Sequence, residues 1–170
     1  MNPYIVVEEF EKKLSDYTGA PYVACVDSCT NAIFLICKRL GVEKTLLPKH
    51  TYLSIPMSVI HSGGEVEFED REWKGMYQIK PYPIWDSAKR LKRNMYIKGS
   101  YIGLSFHILK HIPIGKGGAI LCDNKEDYEW FKKARYEGRT FGMSYHDDDL
   151  EFCGWNMYMT PEQAIRGIQL

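Results

Sequence analysis

Val6, Val7, Phe10, Leu14 and Tyr17 recur at helical spacing, which predicts an amphipathic helix over residues 4–17. Gly19 is placed to stop it. The pattern then changes. Tyr22–Val26 is a short apolar run that predicts a strand, and residues 30–40 predict a helix ended by Gly41. Thr45–Pro48 predicts a strand, and residues 52–61 a helix ended by Gly63 and Gly64. Val66–Phe68, Ile84–Asp86, Ile102–Phe106 and Gly118–Cys122 predict further short strands. Lys125–Glu137 predicts a helix, and Thr160-Pro161 is a good cap and first-position pair for another over residues 161–169.

Short buried strands alternating with helices imply an α/β fold. The expectation is a three-layer α/β/α domain over residues 1–170, built on a mostly parallel sheet of about six to seven strands. Sheets of that kind bind ligands at the carboxyl ends of their strands, so chemistry is sought there.

Composition narrows the classes without choosing among them. Lys+Arg and Asp+Glu both number 22, so the net charge is zero and nothing marks a nucleic-acid or anionic-membrane partner. The basic run from Lys89 to Arg93 reads as a solvated face. Cys25, Cys29, Cys37, Cys122 and Cys153 form no metal-ligand array, so no metal is expected and free thiols in a reducing cytoplasm are the simplest account. No apolar run approaches the ~20 residues of a membrane span, which predicts a soluble cytoplasmic protein.

The polar residues at the predicted strand ends carry the candidate chemistry. After the first strand, Asp27-Ser28-Cys29-Thr30-Asn31-Ala32 opens into a helix, where hydroxyls and free amides suit an anion such as phosphate. Ser28 or Thr30 can equally serve as a helix cap that needs no ligand. Tyr52, after His50-Thr51, can lie over a planar ring or fill the core. Asp86 follows two apolar residues and needs a partner; capping the next turn or pairing with Arg90 would also satisfy it. Lys110, in Ser105-Phe106-His107-Ile108-Leu109-Lys110 before the glycines 115, 117 and 118, is placed to act as an amine nucleophile or to be a surface lysine. Lys116 reads as solvated.

Taken in order, these segments resemble the DegT/DnrJ/StrS family of sugar aminotransferases that use pyridoxal 5′-phosphate, within the aspartate-aminotransferase fold superfamily. Tyr17-Thr18-Gly19-Ala20 is similar to the end of the family's opening helix. Asp27 to Ala32 resembles its phosphate loop, and Pro48-Lys49-His50-Thr51-Tyr52 the segment whose aromatic ring stacks on the cofactor. Trp85-Asp86-Ser87-Ala88 resembles the segment whose Asp pairs with the pyridine nitrogen while the Ala packs on the ring. Ser105 to Lys110 followed by Gly117-Gly118-Ala119-Ile120 is the most specific match. By this resemblance Lys110 is the Schiff-base lysine, Asp86 its catalytic partner, and Ser28, Cys29, Thr30, Tyr52, Ala88, Lys89 and Ser105 line the cofactor. Gly154-Trp155-Asn156 resembles a segment whose Asn reaches the cofactor phosphate of a neighbouring subunit, which implies a homodimer. The implied substrates are an amino-acid donor, glutamate in the family, and a nucleotide-linked keto-sugar.

The departures from the family pattern are specific. The sequence ends at Leu170, where family members continue into a C-terminal domain that closes the substrate site. Ile84 follows closely on Asp70, where the family places a further strand-helix crossover, and residues 73–79 are the candidate replacement strand. Cys29 stands for a loop glycine, Lys89 for a Gln or His, and Tyr158 for an Arg. The alternative reading is a catalytically reduced homologue that binds pyridoxal phosphate or a sugar nucleotide without turnover.

Overall fold

The structure is a computed structural model that describes residues 2–170. Helix α1 (Ile5–Thr18) ends where Gly19 takes a left-handed φ of 78° and donates its N–H to the Ser15 carbonyl. Strand β1 (Tyr22–Val26), helix α2 (Cys29–Leu40), strand β2 (Lys44–Pro48), helix α3 (Ser54–His61) and strand β3 (Glu65–Glu69) follow. Then come four strands, β4 (Tyr77–Ile79), β5 (Ile84–Asp86), β6 (Tyr101–Ser105) and β7 (Gly118–Cys122). Helices α4 (Lys125–Ala134) and α5 (Pro161–Gln169) complete the order. Thr160 caps α5 with Pro161 in the first turn, as expected, and a capping box joins Thr160 to Gln163.

Helix α4 is shorter than the expected run to Glu137, because its last carbonyls are taken from outside. Trp155 N donates to Ala134 O at 2.7 Å, Met157 N to Arg135 O at 2.9 Å, and Gly138 N turns back to Lys133 O at 2.9 Å. The chain at 155–158 is thereby drawn alongside the end of the helix.

The sheet departs from the expectation of a mostly parallel array of six to seven strands. Five strands form a mixed sheet in the order β1-β7-β6-β5-β4, and β2-β3 form a separate two-stranded parallel pair. Within the larger sheet only β5 and β6 run parallel; β1-β7, β6-β7 and β4-β5 are antiparallel. The reason lies in the connections. A parallel neighbour needs a crossover of about a dozen residues or more, and the short loop from Ile79 to Ile84 leaves no room for one. Nor does a helix occur between β6 and β7. The apolar strand sequences alone carry no sign of direction.

A single backbone bridge joins the two sheets: Leu46 N donates to Lys80 O at 2.8 Å, and Lys80 N to Leu46 O at 3.3 Å. Followed through these pairings, β1, β2, β3, β5 and β6 run one way, while β4 and β7 run against them. The carboxyl ends of β1, β2, β5 and β6 therefore gather along one rim.

Alternation along the strands divides the core in two. Ala24, Val26, Ile84 and Ile120 face α2, α3 and α4, packing on Ala32, Ile33, Ile36, Val59 and Phe131. Val23, Cys25, Ile102, Leu104 and Leu121 face α1 and α5, packing on Val7, Phe10, Leu14 and Ala164. On the α1 side a charged pair is also buried. Arg135, wholly buried, donates from Nη1 to Glu11 Oε1 and to the Cys25 carbonyl, while Cys25 N donates to the same Glu11 oxygen at 2.8 Å.

Candidate functional site

At the end of β1 the chain enters α2 through Ser28, whose extended backbone (φ −165°) makes it the cap residue. Its Oγ accepts from Asn31 N at 3.2 Å and donates to Asp27 Oδ1 at 3.1 Å. The other carboxylate oxygen of Asp27 lies 3.2 Å from Lys116 Nζ, so Lys116 has an ion-pair partner although it is exposed. Opposite this loop stands Gly118, where a Cβ would fall 2.4 Å from the Ser28 carbonyl carbon and 2.5 Å from Cys29 N. Only glycine permits that approach, and it fastens the entry to α2 onto the glycine turn that follows Lys110. Thr30 points toward α3, its Oγ1 donating to Ser54 Oγ at 2.8 Å.

Asp86 closes β5 and is 4% exposed. Its Oδ1 accepts the Ala88 amide at 2.9 Å and lies 3.9 Å from the Cys29 thiol. Burial raises its proton affinity above the usual carboxylate range, against the opposing pull of the Ala88 amide, the Tyr77 hydroxyl, the charge of Lys110 and the Cys29 thiol. Burial and the nearby carboxylate likewise push the Cys29 thiol well up, with Lys110 acting the other way. Cys29 is thus a buried neutral thiol over Asp86 rather than a nucleophile. Asp86 caps the turn after it, as one of its simpler readings held, and it has no ion pair with Arg90 among the described residues.

Ser105 ends β6 directly opposite Gly118. The chain then turns: Phe106 N donates to Gly117 O at 2.9 Å, Ile108 N to Gly115 O at 3.1 Å, and Lys110 N to His107 O at 2.8 Å. This turn leaves Leu109 84% exposed and Lys110 half-buried, with its charge felt at both Asp86 and Cys29. Together these elements can hold an anion at the head of α2 and a cationic ring nitrogen at Asp86, with a primary amine beside them.

The remaining expected residues lie around this centre. Tyr52 is 75% exposed at the rim and so is not a core residue. Ala88 gives its amide to Asp86 and packs against the α2-side core. Lys89 is exposed, with its ammonium 5.3 Å from the centre of the Trp73 ring. Asn156 is exposed and donates to Glu137 Oε1 at 2.9 Å, apart from the Asp86 hydrogen bonds. Two residues escaped sequence reasoning as site members. Tyr77 hydrogen-bonds Thr51 and stands directly opposite Asp86 in the β4-β5 ladder, and Lys116 pairs with Asp27. A lone tyrosine in a three-residue strand shows no periodicity, so no pattern could have found the first.

Two surface clefts lie elsewhere, one between α1, β1 and α4 beside Glu8 and Tyr128, the other along α4 beside Trp130 and Phe152. Neither holds any of the residues that meet at Asp86. Among the described residues no group of His, Cys, Asp and Glu is arranged to hold a metal ion, and no helix is long and apolar enough to cross a membrane.

The model of the DegT/DnrJ/EryC1/StrS aminotransferase family matches residues 2–85, from α1 to the strand that bears Asp86. Over that stretch the chain is similar to these aminotransferases. A UDP-4-amino-4,6-dideoxy-N-acetyl-beta-L-altrosamine transaminase of Campylobacter jejuni (strain 81-176) is 25% identical, over 95% of this chain and 55% of its own length. Among solved structures, NtdA from Bacillus subtilis with bound PMP superposes with a TM-score of 0.83 at 21% identity, over 96% of this chain and 47% of its own. AtS13 from Actinomadura melliaura also gives 0.83, at 20% identity, over 96% of this chain and 58% of its own. The likeness to these solved structures is one of fold, and it runs along nearly the whole chain. The chain spans about half the length of these relatives, 55% in the first case and 47% in the second.

Proposed function

We propose that this chain binds pyridoxal 5′-phosphate and forms the cofactor-holding part of an aminotransferase that passes an amino group from an amino acid to a ketone on a nucleotide-linked sugar. One observation carries the reading. Asp86 is a buried carboxylate surrounded by neutral donors, with Lys110 as the cationic side chain whose field reaches it. A carboxylate kept in that state is suited to a ligand that brings a buried positive charge of its own, as a protonated pyridine does. The names of the matched relatives agree with the substrate class, one being a transaminase of a UDP-linked amino sugar and another having bound PMP.

When bound, pyridoxal phosphate supplies an electron sink for the bonding electrons released at the amino acid's Cα. The chain's own residues supply the rest. Asp86 would hold the proton on the ring nitrogen. Ser28 and the free amides at the head of α2, with Thr30 and Ser105, would bind the phosphate, and Cys29 would pack behind them. Lys110 Nζ would attach the cofactor and then serve as the base that takes the Cα proton of the donor, glutamate by family resemblance. Ala88 and Tyr52 would cover the ring, with Lys89 available to its phenolic oxygen once it leaves Trp73. Among the described residues the Asn156 side chain bonds Glu137 and takes no part in the Asp86 hydrogen bonds of its own chain. A role at the phosphate of a second copy would make a homodimer the working unit.

The test is spectral. Protein mixed with pyridoxal phosphate develops a visible absorbance band that Lys110→Ala abolishes while the fold stays intact; a colourless wild-type protein with an intact fold sinks the proposal. Glutamate added to the coloured protein bleaches the band if the chain carries out the donor half-reaction. A band unmoved by glutamate reduces the reading to cofactor binding without turnover.

A further inference from the structure

Tyr77 belongs to none of the family-like segments, yet it faces the residue on which the proposed function turns. It stands directly opposite Asp86 in the β4-β5 ladder, and Gly103 of β6 stands opposite Asp86 on the other side. Residues directly opposite one another share a face of the sheet, so phenol, carboxylate and bare glycine all look toward α2. A Cβ on Gly103 would lie 3.4 Å from Cys29 Sγ and 2.8 Å from Ile33 Cδ1. The missing side chain therefore leaves the room in which the Cys29 thiol comes within 3.9 Å of Asp86 Oδ1. Tyr77 is 3% exposed, so its hydroxyl has no water to fall back on and must be satisfied internally. It hydrogen-bonds the Thr51 hydroxyl, and Asp86 is the buried carboxylate that stands opposite it in the ladder.

A phenol has one proton. If Tyr77 gives it to Asp86, Thr51 must be the donor to Tyr77, and the protons line up from Thr51 to Tyr77 to Asp86. We propose that Tyr77 is a positioning residue for Asp86: with its oxygen held by Thr51, its hydroxyl donates to the carboxylate and keeps it ionised and aimed for a cationic ring nitrogen. The inference deepens the proposed function and rests on it for the identity of that nitrogen. The groups that face Asp86 are Tyr77 from β4, Cys29 from α2 and Lys110 from the turn after β6. Burial drives Asp86 toward its neutral form, and donors to the charged form oppose this. Cys29 is the weaker donor by chemistry and distance, which leaves Tyr77 as the strong side-chain donor. Burial and the Asp86 charge together push the Tyr77 phenol far above the range in which it could ionise, so it stays a donor at every working pH. The short strand that occupies the place of the family's crossover is, on this view, part of the site and not only filler at the sheet edge.

The deciding experiment uses cofactor-free protein, so that it does not depend on whether pyridoxal phosphate binds. Side-chain carboxyl resonances of isotope-labelled aspartates are followed against pH in wild type and Tyr77→Phe, with Asp86 assigned by its absence in Asp86→Asn. Tyr77→Phe keeps the buried ring and removes only the hydroxyl. The expected result is an Asp86 midpoint moved to higher pH in Tyr77→Phe; an unmoved midpoint in a folded variant overturns the proposal. Should Tyr77→Phe fail to fold, Thr51→Val is used instead and is expected to move the midpoint the same way by less, with no movement again overturning it. A second arm measures pyridoxal phosphate binding, where loss of one hydrogen bond to a charged group predicts affinity lower by about tenfold. If neither protein binds the cofactor, the proposed function falls, while the Asp86 midpoint still decides the role of Tyr77.

Discussion

Three acids lie buried among the described residues, Glu11, Asp86 and Asp127; Asp127 has Arg39 as its partner, and the structure treats the other two differently. Glu11, on the α1 side, receives the Arg135 guanidinium and the Cys25 amide. That pair ties α1 to β1 and to the end of α4, so its counter-charge is built into the fold. Asp86, on the α2 side, receives an amide and a thiol and stands opposite the Tyr77 phenol, all neutral, and senses Lys110 only through space. A structural charge comes with its partner. The neutral close contacts of Asp86 accord with the proposed role of holding a cationic ring nitrogen.

The largest effect expected from this contrast is at Arg135. Arg135→Leu strands Glu11 as a buried unpaired charge and costs about 3–5 kcal/mol, read by chemical denaturation. Combining it with Glu11→Leu is expected to recover most of the loss; a double variant as unstable as the single one would break the comparison. The second effect has the opposite sign. The folded state raises the proton affinity of Asp86, so its contribution to stability is complete below the unfolded carboxylate value and is lost as pH rises through the folded one. Asp86→Asn is therefore expected to melt higher than wild type at neutral pH without cofactor, with the gap closing toward acid, and to lose pyridoxal phosphate binding. A variant that melts lower at neutral pH would place Asp86 beside Glu11 as a structural acid. The smallest effect is at Ser28, whose cap of α2 is worth about 1 kcal/mol, so Ser28→Ala lowers the melting temperature by roughly 2–4 °C for a domain of this size.

The parts legible in the sequence are those marked by local chemistry. β1, β5, β7 and α5 fall within the bounds expected from their apolar runs and from Thr160-Pro161. Asp86, Ser105 and the entry to α2 stand at strand ends because each short strand gives way there to polar residues. What the sequence did not disclose is relational. Strand direction depends on connections, and the antiparallel β4 follows from a loop too short for a crossover. The shortened α4 follows from Trp155 and Met157, which cap it from far along the chain. Tyr77 and Asp86 became partners only once β4 and β5 took their register. Lys116, read as solvated, found Asp27 across the glycine turn.

The single Leu46–Lys80 bridge between the sheets has a dynamic consequence. Cooperative units open separately where few backbone hydrogen bonds join them. The β2-β3 pair meets that description, with a parallel ladder of its own and one bridge to its neighbour. Thr51 and Tyr52 hang from the end of β2, whereas Asp86, Ser28 and Lys110 ride on the five-stranded body. An excursion of the smaller unit would lift Tyr52, the proposed cover, and Thr51 together, leaving Asp86, Ser28 and Lys110 in place. The seam between the sheets thus divides the proposed anchor groups from the proposed cover.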